Sequence, residues 1–81
     1  MLVIKTAVGI AFYGNEPTDP GVIGEIKMRF GPAVEVYSAD AAMTHAVSAA
    51  GGTMDVVGGR LVSTNGDGAE LAAADLIPVT Q

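Results

Sequence analysis

No cysteine and no tryptophan occur among the 81 residues. The missing thiols exclude a disulfide framework, a thiolate nucleophile and a cysteine zinc site, so the usual staples of a small domain are absent, while oxidising and reducing compartments both stay open. Base is also scarce. Lys5, Lys27, Arg29 and Arg60 are scattered against nine carboxylates, and the formal net charge of −5 leaves no basic stripe to track a phosphate backbone. Nucleic acid is therefore not an expected partner. No apolar run approaches the roughly 18 residues of a membrane span, and the apolar residues 1–13 are broken by Gly14-Asn15-Glu16-Pro17 with no signal-peptide core following. The expectation is a chain that is not secreted by a recognisable signal and has no membrane partner, either cytoplasmic or assembled into a particle.

Aromatic residues supply only 5% of a chain that is 49% hydrophobic, and its mean hydropathy is +0.42. The apolar surface thus comes from Val, Ile, Leu, Met and many Ala. A single domain over residues 1–81 buries only about 60% of the surface its unfolded chain exposes, which leaves small apolar side chains for a partner or for further copies of itself.

Alternation predicts one long strand over residues 2–13, with Leu2, Ile4, Thr6, Val8, Ile10 and Phe12 on one face. Its other face, Val3, Ala7, Gly9, Ala11 and Tyr13, is too apolar for solvent and too small for much of a core, and is the expected interface. Residues 14–21 are rich in turn formers and read as a loop. The segments 22–30 and 33–38 alternate as the two strands of an antiparallel hairpin. A helix fits residues 38–52, capped by Ser38, with Asp40 in its first turn, Gly51 at the left-handed C′ position and an apolar stripe of Met43, Ala46, Val47 and Ala50. Gly58-Gly59 between "MDVV" and "RLVS" predicts a two-residue hairpin turn, because glycine reaches positive φ without steric cost. After "TNGDG" the run "AELAAAD" reads as a short helical turn, and "LIPV" as a last strand that Pro78 confines to an edge or a bulge.

Strands, one helix and further strands predict an α+β fold, a small and mainly antiparallel sheet with one packed helix. The segments "VGGRLV" at 57–62, "NGDGAEL" at 65–71 and "ADLIPV" at 74–79 resemble the small sulfur-carrier proteins of the β-grasp, or ubiquitin-like, family. The resemblance implies a β-grasp-like fold. Those carriers end in a diglycine that is adenylated, whereas this sequence reads Val79-Thr80-Gln81, so the resemblance carries over the fold and not the activity.

Candidate chemistry reduces to few groups. His45 is the single histidine and lies on the expected helix beside its apolar stripe, which makes it a structural bystander. The acidic loops "NEPTDP" and "TNGDGAE" lack the ligand spacing of a calcium loop, and Gly58-Gly59 lies between strands instead of at a helix N-terminus that would cradle phosphate. Ser38, Ser48 and Ser63 have no nucleophile-elbow motif around them. Met28, Met43 and Met54 are expected inside as gap fillers. No catalytic residue, metal or cofactor is expected. Two functions remain: a noncatalytic, self-associating structural or protein-interaction subunit, such as a component of a shell or virus particle, or a degenerate β-grasp adaptor that docks on a single enzyme.

Overall fold

The computed structural model describes residues 1–14 and 21–79. Most of the expected loop at 14–21 lies outside them. The first correction concerns residues 2–13, which are two strands. The Thr6 hydroxyl accepts a hydrogen bond from the Val8 N–H (3.2 Å) and donates one to the Gly9 carbonyl (2.9 Å), closing a turn at Ala7 and Val8. Strand β1 (Leu2–Thr6) therefore folds back on β2 (Gly9–Tyr13) with Leu2 opposite Tyr13, Ile4 opposite Ala11 and Thr6 opposite Gly9.

The segment expected as a strand at 22–30 is a helix, α1 (Val22–Phe30). Val22, Ile23 and Ile26 are buried at helical spacing, whereas Met28, which the alternating reading placed inside, is 89% exposed. Glu25 in the first turn and Lys27 and Arg29 in the last suit the helix dipole. The expected hairpin over residues 22–37 is consequently absent. Strand β3 (Glu35–Ser38) pairs instead with β1, antiparallel, with Val3 opposite Tyr37 and Ile4 opposite Val36.

The second helix, α2 (Ala41–Ala49), begins at Asp40 instead of Ser38: the Asp40 carboxylate accepts from the Met43 N–H at 3.0 Å, while Ser38 is held in β3. Gly51 takes the expected left-handed conformation just beyond it, at φ 82°. Its buried face is narrower than the stripe expected, comprising Thr44 and Val47; Met43 is half exposed, and Ala46 and Ala50 face solvent.

Strands β4 (Thr53–Val57) and β5 (Arg60–Thr64) form the expected hairpin, with Gly58 and Gly59 at φ 59° and 77°. Positive φ at both central residues is the type I′ pattern whose twist matches the strands. The alanine-rich segment is strand β6 (Glu70–Asp75), not a helical turn. Asn65 accounts for it: its side-chain oxygen accepts from the N–H groups of Asp67 and Ala69, reversing the chain so that 70–75 runs back along β5. Strand β7 (Ile77–Pro78) pairs with β3 and ends the larger sheet, where Pro78 was expected to sit.

The fold is α+β, with two helices and two antiparallel sheets ordered β2-β1-β3-β7 and β4-β5-β6. Alternation along β1 and β3 sends Leu2, Ile4 and Val36 onto Val22, Ile23 and Ile26 of α1. Val3 and Tyr37 point the other way and pack with Val47 of α2 and with Val56, Leu61 and Ala74 of the smaller sheet. The larger sheet is thus the middle of three layers, covered on both faces.

Candidate protein-interaction edge

The residues expected to form one interface do not share a surface. Val3 is fully buried between the two sheets. Ala11 and Tyr13 are half-buried against the α1 core, and the Tyr13 ring meets Phe30 edge-on at 6.3 Å while its hydroxyl accepts from Arg29 at 3.3 Å. Ala7 and Gly9 flank Val8 at the hairpin turn, where Val8 is 98% exposed. The physical reason is parity. Across a two-residue turn, residues 6 and 9 share a face, so an alternation carried straight through the turn assigns every later side chain to the wrong side.

The turn stands between two clefts. One of about 310 Å³ lies between Lys5, Thr6 and Ala7 and the segment containing Phe30, Ala33 and Val34; the other, of about 380 Å³, separates the turn from Thr53, Met54 and Asp55 of β4. Lys5 connects the layers beneath them. Its Nζ donates to the Val56 carbonyl at 2.5 Å and lies 3.9 Å from the Asp55 carboxylate.

Four strands lie at sheet edges, and three are guarded. On β4, the outward N–H of Val56 donates to the Asp55 carboxylate at 2.8 Å and its carbonyl is taken by Lys5, so side chains occupy the outward groups at Val56 that a new strand would need. Strand β6 pairs with β5 through a register shift, Ser63 opposite Ala72 but Thr64 opposite Glu70, and its terminal Glu70 and Asp75 both lie within 4 Å of Arg60. Strand β7 is two residues long and contains Pro78. Short strands, prolines, bulges and charges are the devices that keep an edge from pairing. Strand β2, Gly9-Ile10-Ala11-Phe12-Tyr13, has none of them. With Gly9, Ala11 and Tyr13 hydrogen-bonded toward β1, the N–H and C=O of Ile10 and Phe12 point away from it, and no other described residue pairs with them. Sequence reasoning missed Ile10 and Phe12 because it counted their side chains by face; the Thr6-x-x-Gly9 turn was the signal available.

The other chemically notable groups are dispersed. Tyr37, buried between the sheets, donates its hydroxyl to the Glu35 carboxylate; this bond, then burial, then the adjacent negative charge raise the phenol above its ordinary pKa of 10.0. His45 is exposed in a groove of about 290 Å³ with Met1, Phe12, Ala41, Thr44 and Ser48, and makes no hydrogen bond among the described residues. Ser63 is fully buried and donates to the Gly51 carbonyl, a structural role. Among the described residues no three His, Asp or Glu side chains converge as a metal site, and no helix is long and apolar enough to cross a membrane. Comparison with known proteins finds no matching family model, no matching curated protein and no matching solved structure.

Proposed function

We propose that this chain is a noncatalytic, self-associating structural or protein-interaction subunit, of the kind that builds a larger assembly such as a shell or virus particle. The observation that carries this reading is the contrast among the sheet edges: β4 at Val56, β6 and β7 are guarded, and the outward backbone of β2 is uncharged and has no hydrogen-bond partner among the described residues. A chain of net charge −5 repels its copies at most of its surface. Strand β2 carries no charge and so offers an approach without that penalty. Met28 on α1 adds an exposed apolar side chain on another part of the surface, and Val8 adds one at the turn that leads into β2, as suits a subunit with more than one neighbour.

Sedimentation at micromolar concentration tests the reading. The expected result is a species at least twice the 8.1 kDa chain mass. A strict monomer would overturn self-association and favour an adaptor that waits for a different protein.

A further inference from the structure

We infer that the partner of β2 is the β2 strand of a second copy, paired antiparallel about a two-fold axis that passes beside Ala11. This inference rests on the self-association proposed above and specifies its geometry. The outward-facing residues Ile10 and Phe12 are placed symmetrically about Ala11. An antiparallel copy therefore sets Ile10 opposite Phe12 of the second chain and Phe12 opposite its Ile10, forming about four backbone hydrogen bonds between hydrogen-bonded pairs. The side chains fit the same register. Each Ile10 meets a Phe12, a β-branched residue against an aromatic one, which is a favourable cross-strand pair. Tyr13 lies opposite Gly9 of the second copy, so the strand's largest side chain faces its smallest residue. Ala11 meets Ala11, and two methyl groups on the axis obstruct nothing. A register displaced by one residue would turn the outward donors of one chain onto groups already bonded to β1, so this pairing is the centred one available to the strand.

The product is a single continuous sheet with β2 strands at its middle and β7 strands at both ends. Because β7 is short and contains proline, the sheet closes after two copies.

The absence of cysteine supplies a direct probe. In the centred register the two Ala11 residues form a non-hydrogen-bonded pair with Cα atoms about 4.5 Å apart, inside the range of about 4.4–6.8 Å that a disulfide spans. Ala11→Cys should therefore become almost fully cross-linked under mild oxidation. Tyr13→Cys should not, since the two copies of position 13 are separated by four residues along the strands, about 14 Å. Phe12→Pro and Phe12→Thr form the second arm. Both remove the aromatic ring, and only proline removes the outward N–H, a donor that makes no bond within the monomer's own sheet. Sedimentation should show Phe12→Pro reduced to at most half the wild-type mass and Phe12→Thr still associated, with circular dichroism confirming the fold of each. If Phe12→Pro fails to fold, the cysteine pair decides alone. A wild-type multimer in which Ala11→Cys stays uncross-linked would overturn the β2 pairing while leaving self-association standing. A wild-type monomer would overturn both.

Discussion

Gly52 offers a sharp test of the packing between α2 and the smaller sheet, because its neighbour Gly51 serves as an internal control. Both glycines have left-handed backbone, at φ 75° and 82°. Any L-residue there loses about 1–2 kcal/mol from the contact of Cβ with its own backbone. The two sites differ in their surroundings. A Cβ on Gly51 would meet nothing within 4 Å, whereas one on Gly52 would lie 2.2 Å from the Thr64 carbonyl oxygen, 2.9 Å from its carbon and 3.0 Å from a Leu71 methyl. Thr64 cannot retreat freely, because it is paired with Thr53 on one side and with Glu70 on the other, and the adjacent Ser63 is bonded to the Gly51 carbonyl. Forcing a methyl group into such a site costs a further 1–3 kcal/mol or so. Gly52→Ala should thus destabilise by about 2–5 kcal/mol against about 1–2 for Gly51→Ala. A domain of this size has about 4–12 kcal/mol in total, so the first variant approaches the limit of folding. Urea titration of both variants measures the difference, and asparagine, which tolerates left-handed backbone, should rescue position 51 and not position 52. Equal midpoints for Gly51→Ala and Gly52→Ala would refute the close approach of Gly52 to β5.

Gly58→Val and Gly59→Val should each lower stability by about 1 kcal/mol or more, since a β-branched side chain is disfavoured at positive φ; thermal melts at unchanged temperature would reject the type I′ turn. Tyr37 gives the fold a decline in strong alkali: the native phenol keeps its proton to higher pH than the unfolded one, so stability is whole below pH 10.0 and falls as pH rises toward the raised native value. Tyr37→Phe should flatten that decline, and denaturant midpoints measured from pH 9 upward that fall in parallel for both proteins would contradict it. His45→Ala should alter stability by less than about 0.5 kcal/mol and leave association intact, as expected of an exposed side chain with no hydrogen bond among the described residues; loss of association on a folded background would make it part of the interface.

The C-terminal half was legible because its turns are written in residue types with few alternatives. Gly58-Gly59 permits the positive φ values found there, Gly51 ends α2 as expected, and Pro78 marks an edge. The N-terminal half misleads for two physical reasons. The turn at Ala7 and Val8 contains no glycine, asparagine or proline; the Thr6 side chain closes it, and a threonine inside an apolar alternation looks like one more strand residue. Val22, Ile26 and Phe30 are four apart, a spacing that satisfies period two and a helix alike. Only the buried Ile23 and the exposed Met28 discriminate, and tertiary packing decides them. At residues 70–75 the order reversed: alanine favours helix, but pairing with β5 and burial of Ala74 overrode that preference. The five residues of the expected interface do not share one face, since an alternating face does not continue across a turn.

Burial of Val3 has a consequence for how copies of this chain can meet. With α1 on one face of the larger sheet and the smaller sheet and α2 on the other, no face of that sheet remains for a neighbour. The sheet can grow only sideways. On one side β7 stops growth with two residues and a proline, and on the other the outward backbone of β2 has no partner among the described residues, so the proposed pairing through the sheet would end at a closed dimer and not continue into a fibre. In the proposed pairing an assembly larger than two would use surfaces outside the sheet, and the exposed Met28 of α1 lies on a different layer from the β2 backbone edge. The two modes are separable in principle. Loss of the outward Phe12 donor should weaken the proposed two-fold pairing, whereas a charge at Met28 should leave that pairing intact and act only on contacts made through α1.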